Sequence, residues 1–194
     1  HHETTGPCIV KPIWEDASVG IGDDAVVPSA ACAAARLAQL GADWFAEAYV
    51  AGREFNVALL EGPRGAEVLP VAEIVFEGPG WGSDRPQIVG YAAKWEPDSF
   101  EYQHTVRHFP TGEDDLLSRI RAISLRCWDV LGLTGYARVD FRVTEEGQPV
   151  VLEINANPCV SPDAGFAACA EAGGVSYQEA IRRIVDAGLA CGGR

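Results

Sequence analysis

The chain has 194 residues, 47% of them hydrophobic, and a formal net charge of −13. That length suits one domain or two small lobes with enough apolar material for an independent core. The acidity argues against non-specific binding to nucleic acid or anionic membranes, and no uncharged apolar run reaches the roughly 20 residues of a membrane span, so neither partner is expected.

Residues 7–12 read as a short buried strand, CIVK at its centre, running into the loop IWEDASVGIGDD. An alanine-rich helix follows over 28–40 and ends at Gly41. A second strand covers 44–50, and Ala51-Gly52 turns the chain into a third over 54–60. Residues 61–65 are expected as a hairpin turn leading into one strand over 67–76. Residues 78–110 are rich in Gly, Pro and aromatics, show little periodicity, and are expected as a long loop. The strongest helical pattern lies over 111–131, where Leu116, Leu117, Ile120, Ile123, Cys127, Trp128 and Leu131 form one apolar stripe. Thr111 with Asp114 offers it a capping box, and Gly132 ends it. Strands at 138–143 and 150–155 flank a polar turn containing Gly147. Helices are expected near 163–172 and from Ser176, boxed by Glu179, to about 189. Hairpins are prominent and βαβ spacing is absent, which is an α+β pattern.

The hairpin RVDFRVTEEGQPVVLEINANP carries the densest chemistry. Arg138, Asp140 and Arg142 share one side of its first strand, and Val151, Glu153 and Asn155 one side of its second. If Val143 pairs with Val150, Asp140 falls opposite Glu153 and Arg138 opposite Asn155. Two carboxylates facing each other repel unless something positive lies between them. Two carboxylates and an amide oxygen form an oxygen-donor set for Mg²⁺, with an arginine beside it for phosphate. The other side (Val139, Phe141, Val143, Val150, Leu152, Ile154) is apolar and expected to bury. The alternative is a solvated hairpin edge.

Other polar positions are ambiguous taken singly. Lys11 ends a strand beside a loop with Ser18, Gly20 and Gly22, a setting that can hold phosphate, as can a solvated lysine. Glu47 and Glu54 flank Tyr49-Val50-Ala51-Gly52, and Lys94 lies in GYAAKW. His104 and His108 have i, i+4 spacing, but Thr105 and Val106 favour strand, so structural histidines are expected rather than zinc ligands. No nucleophile sits in a recognisable elbow. The six cysteines lack CxxC or zinc spacing; Cys8, Cys32, Cys127 and Cys169 lie among apolar or alanine-rich neighbours, as buried thiols do. With no signal-peptide pattern, a reduced, cytoplasmic protein is expected.

Taken in order, CIVKPIWEDASVGI, EAYVAGREFNVALL and ARVDFRV…VVLEINANP resemble the ATP-grasp enzymes, most closely the D-alanine–D-alanine ligase group, over nearly all of 8–190. The resemblance implies an α+β ATP-grasp fold, with a small lobe over 7–77 and a larger, metal-bearing lobe over 78–190 whose antiparallel sheets sandwich the nucleotide. It implies that Lys11 and Lys94 contact ATP phosphates under the loop around Ser18. Glu47 and the Tyr49-Val50 backbone would bind adenine above Leu152, and Glu54 would hold the ribose. Asp140, Glu153 and Asn155 would hold two Mg²⁺ ions, with Mn²⁺ as an alternative. Arg138 would stabilise the transferring phosphoryl group, with Lys94 also catalytic, and 78–110 would serve as a lid. The implied activity is ligation of a small carboxylate to an amine, both from the amino-acid class, through an acyl phosphate. Assembly into a homodimer stays open.

The sequence departs from the group at four positions. Ala17 stands where a serine is usual, Trp95 where a tyrosine is, Cys159 where a glycine amide faces the acyl phosphate, and Ala164 where a substrate-binding serine is common. The nucleotide half of the motif set is intact and the amino-acid half is not, which leaves the substrate open. Family members begin with a further N-terminal domain, whereas Lys11 arrives here almost at once, so a truncated form or fragment is expected. Two alternatives accompany the ligase reading: a non-catalytic nucleotide-binding module or inactive fragment, and an ATP-grasp enzyme of another substrate class.

Overall fold

A computed structural model describes residues 6–82 and 85–191. In chain order its elements are β1 (Cys8–Pro12), β2 (Val26–Val27), α1 (Ala30–Leu40), β3 (Trp44–Ala48), β4 (Arg53–Gly62), β5 (Gly65–Val68), β6 (Ala72–Phe76), α2 (Tyr91–Trp95), α3 (Phe100–Gln103), β7 (Thr105–His108), α4 (Asp114–Leu131), β8 (Tyr136–Val143), β9 (Pro149–Asn155), α5 (Gly165–Ala172) and α6 (Tyr177–Cys191). Contacts divide the chain into two compact units, His1–Ala51 with Val75–Val106, and Gly52–Ile74 with Arg107–Arg194. None of the described helices is long and apolar enough to cross a membrane.

In the first unit, β1 pairs antiparallel with β2 and β3, in the order β2-β1-β3. Strand alternation sends Cys8 and Val10 to one face, where they meet Ala33 and Leu37 of α1 together with Val27, Trp44 and Ala46. Ser29 caps α1 by accepting the Cys32 N–H, and Gly41 ends it at φ 94°. Ile9 points the other way and packs with Ala25 and Ile88. The expected loop over 78–110 holds α2, α3 and β7; helices of five and four residues leave too few positions for a helical period to be read.

The second unit is built on the long strand β4, with β8 and then β9 on one edge and β5 and the start of β6 on the other. The single strand expected over 67–76 is two. Pro70 has no N–H to give a ladder, and Leu69 donates to Ala58 O just before the break. Thus β5 and β6 share one edge of the long strand β4. Both faces of β4 are buried. Phe55, Val57 and Leu59 pack with Leu117, Ile120 and Trp128 of α4, while Ala58 and Leu60 pack with Phe166, Cys169 and Ala170 of α5 and Ala180 of α6. Helix α4 begins at Asp114 with Glu113 as its cap and no side-chain capping bond, so the Thr111–Asp114 box does not form. The Glu113 carboxylate instead accepts from Arg53. Half of the Ser176 box forms: Ser176 Oγ accepts the Glu179 N–H, while the Glu179 carboxylate turns to Arg182.

Gly52 opens β4 where no other residue fits. Its φ is 129°, and a Cβ there would lie 2.1 Å from Val143 O. Cys8, Cys32, Cys127, Cys159 and Cys169 are free thiols; Cys8 and Cys169 are buried and Cys127 is half-buried. Cys32, expected inside, is exposed, because its alanine-rich neighbours form a helix of which only Ala33 is buried.

Candidate functional site

The core of the second unit leaves one stretch of sheet polar. On β4, Glu54 and Asn56 alternate onto the same face as Ala58 and Leu60, the pair packed with α5 and α6. Pairing with β8 sets Glu54 opposite Arg142, Asn56 opposite Asp140 and Ala58 opposite Arg138. Pairing with β9 then sets Asp140 opposite Glu153 and Arg138 opposite Asn155. That is the expected register at the polar end, although Val143 meets Pro149 rather than Val150. The pairing slips between Asp140 and Phe141, leaving Leu152 as the extra residue of a bulge.

This row is a network of ion pairs. Arg138 Nε donates to Asp140 Oδ1 and Nη2 to Oδ2, both at 2.7 Å, and Nη2 lies 3.6 Å from Glu153 Oε1. Burial works against the Arg138 charge, but the bonds to Asp140, with the charges of Asp140, Glu153 and Glu54, outweigh it and hold the guanidinium above its ordinary range. Asn56 Nδ2 donates to Asp140 Oδ1 at 2.9 Å. Arg142 Nη2 donates to Glu54 Oε2 at 2.6 Å and Nη1 to Gly52 O at 2.9 Å, and both members of this pair are buried. Glu54, the candidate ribose ligand, therefore already carries a buried partner.

Beyond β9, Asn155 Oδ1 accepts the Asn157 N–H at 2.9 Å, and Tyr136 Oη donates to Asn157 Oδ1. Cys159 is exposed, with Sγ 3.2 Å from Ser161 Oγ. The Ser161 hydroxyl, then its backbone N–H, hold this thiol below the usual range against slight burial. Ala164 precedes α5 and provides no side-chain cap.

The first unit holds Lys11, Ser18, Glu47, Tyr49, Val50 and Lys94. Lys11 Nζ donates to Glu47 Oε1 at 2.5 Å, so the candidate phosphate lysine and adenine carboxylate are neighbours on adjacent strands. Tyr49 donates its N–H to Pro7 O and its hydroxyl to Gln87 O. Ala17 and Ser18 both adopt left-handed backbone, φ 56° and 64°. Three bonds tie their loop to the segment carrying Lys94: Ser18 Oγ to Val89 O at 2.7 Å, Trp95 Nε1 to Ala17 O at 2.9 Å, and Tyr91 N to Ile21 O at 2.8 Å. His104 caps α3 and stacks on Phe100 at 4.0 Å, while His108 ends β7, so the two do not share a helix face.

Among the described residues, no three His, Cys, Asp or Glu side chains gather as a metal cluster. Asp140, Glu153 and Asn155 nonetheless suit Mg²⁺ as a donor set, being hard oxygens on one face of paired strands. Sequence reasoning gave no role to Asn56 or to Arg142. Both could be found by alternation, Asn56 two residues past Glu54 and Arg142 two past Asp140, but their partners depend on the β4–β8 pairing.

The family model described as D-ala D-ala ligase C-terminus matches residues 1–186. A D-alanine–D-alanine ligase of Cupriavidus metallidurans is 32% identical over 183 residues, covering 93% of this chain and 52% of that protein. One from Anaeromyxobacter sp. is 34% identical over 184 residues, covering 93% and 53%. The chain spans about half the length of the curated relatives it matches. Among solved structures, the D-alanine–D-alanine ligase of Bacillus anthracis complexed with ATP superimposes with a TM-score of 0.68 at 22% identity, covering 95% of this chain and 53% of that one. The VanG D-Ala:D-Ser ligase of Enterococcus faecalis gives 0.66 at 22% identity, covering 94% and 49%. These likenesses establish an ATP-grasp fold.

Proposed function

Since the chain belongs to the D-Ala–D-Ala ligase C-terminal family, we propose that it is the nucleotide- and metal-binding portion of an ATP-dependent carboxylate–amine ligase. In this reaction a carboxylate oxygen takes the γ-phosphoryl group of ATP as the bond to the β–γ bridging oxygen breaks, giving an acyl phosphate and ADP. An amine then attacks the carbonyl carbon, and the C–O bond to phosphate breaks. The observation that carries the reading is the β8–β9 pairing, which sets Asp140 against Glu153 and Arg138 against Asn155 beside the anchoring Asn56.

Asp140, Glu153 and Asn155 would hold Mg²⁺, which supplies neutralisation of the phosphate oxygens. Lys11 and Lys94 add positive charge for the phosphates, and the loop at Ser18 shields them from water. Glu47 and the Tyr49-Val50 backbone take the adenine, with Leu152 beneath its ring, and Glu54 the ribose. Arg138 stabilises the phosphoryl group in transfer. Ala17, Trp95, Cys159 and Ala164 support a substrate pair other than two D-alanines. We also propose a reduced, cytoplasmic setting.

A second reading, a nucleotide-binding module without catalysis, is favoured by one observation: Arg138 is engaged at both ends of the Asp140 carboxylate. Calorimetry of Mg·ATP binding and phosphate release against a panel of D- and L-amino acids separate the two. The ligase reading expects an amine–carboxylate pair to stimulate release. Tight binding with no stimulation by any pair supports the module, and binding unchanged by Asp140→Asn sinks the metal site.

A further inference from the structure

An ionised carboxylate offers about four lone-pair positions. On Asp140 three are taken, two by Arg138 Nε and Nη2 at 2.7 Å and one by Asn56 Nδ2 at 2.9 Å. The oxygens gripped by the guanidinium are the ones a divalent cation would use. Two cations on one carboxylate repel each other, the more so because Asp140 is buried and poorly screened. Asn56 is neutral and sits on β4 directly opposite Asp140, so it can keep the carboxylate in place while the arginine moves. Arg138 can move: its side chain is 21% exposed, and among the described residues its other ion pair, with Glu153, is long at 3.6 Å.

We propose that Arg138 is a cation-gated arm. A divalent cation and the guanidinium compete for Asp140, and the cation's arrival releases Arg138 to bind a phosphate oxygen beside the site. The competition orders the events: until the cation is bound, the arginine is committed to Asp140 and a triphosphate lacks its strongest fork-shaped donor. By linkage, an anion that captures Arg138 must in turn strengthen cation binding. The inference rests on the metal-site reading above and adds its regulation.

Titration of the nucleotide-free chain with Mn²⁺, followed by electron paramagnetic resonance, tests it. Arg138→Gln is expected to bind Mn²⁺ at least about tenfold more tightly than the unaltered chain. Arg138→Lys, which keeps the charge and loses the fork, should fall between them, and Asp140→Asn should abolish binding. A purely structural arginine predicts the opposite sign, weaker binding in Arg138→Gln. Unchanged or weaker binding in Arg138→Gln, where Mn²⁺ binding still depends on Asp140, overturns the gate and spares the metal site. No Asp140-dependent binding in any form overturns both. Should Arg138→Gln not fold, ¹⁵N resonances of arginine Nε–H groups in the unaltered chain decide it. Mg²⁺ must shift the Arg138 signal and speed its exchange with water while leaving that of Arg142 in place, and a stationary Arg138 signal overturns the gate.

Discussion

Replacing Arg142 by methionine should be among the most damaging single changes in the second unit. The Arg142 side chain is 3% exposed and its partner Glu54 10%, with 2.6 Å between Nη2 and Oε2. Removing the guanidinium leaves a buried carboxylate without that counter-charge and Gly52 O without its donor. Breaking a buried pair from one side costs about 3–5 kcal/mol, a large part of the roughly 5–15 kcal/mol that holds a typical domain folded. With a urea slope of about 2 kcal/mol/M, a loss of ~4 kcal/mol moves the unfolding midpoint down by about 2 M in far-UV circular dichroism. Glu54→Leu combined with Arg142→Met removes both charges together and should recover most of the loss, since a buried pair exchanged for apolar residues is often close to neutral. The exposed pair Arg182–Glu179 is the control; Arg182→Met should leave the midpoint close to that of the unaltered chain, its side chain being 61% exposed. A loss under about 1 kcal/mol for Arg142→Met, or a double variant as unstable as the single one, would refute the reasoning.

Gly52→Ala should cost more than about 3 kcal/mol and send the chain to the insoluble fraction, because its φ is 129° and the new Cβ would meet Val143 O. Gly147→Ala, at φ 75° in open space, should cost about 1 kcal/mol; equal solubility and equal midpoints would contradict this account. Under iodoacetamide near pH 8, Cys159 should be alkylated well before Cys169, which burial pushes up to about 11. Peptide mapping by mass spectrometry would reveal the reverse order, and Ser161→Ala should slow Cys159. The Arg53 hydrogen bonds hold the Glu113 carboxyl below the ordinary glutamate range, so the pair's stabilisation is present above that range and fades as pH falls through the lower folded-state value. Because Glu113 is 38% exposed, Arg53→Ala should flatten this acid limb by no more than about 1 kcal/mol in urea midpoints measured between pH 3 and 7.

The chain's local patterns carried most of its elements, and the failures share a cause. The α4 stripe, the glycines ending α1 and α4, and the alternation in β8 depend on neighbours a few residues apart. The Asp140–Glu153 pairing was legible for the same reason, since only a short turn separates the strands. The turn end was not legible, because the Leu152 bulge absorbs one residue and its position follows from packing across the sheet. The partners of Asn56 and Arg142 lie 84 and 88 positions away in sequence, and no local period encodes a pairing across that distance. Cys32 shows the limit of composition: alanine on every side looks like a core until the helix turns out to show most of its surface.

The polar face of the second unit constrains how any polyphosphate could bind there. Arg138 is paired with Asp140 and lies near Glu153, and Arg142 is paired with Glu54, on a chain whose net charge is −13. Both guanidiniums are thus turned toward carboxylates, so an incoming triphosphate competes with those carboxylates for them. On the proposal above, a divalent cation on Asp140 would favour the triphosphate twice over, by its own charge and by the arginine it sets free. On the metal-site proposal above, cation binding at Asp140 favours nucleotide binding, which is the dependence a metal-assisted phosphoryl transfer needs.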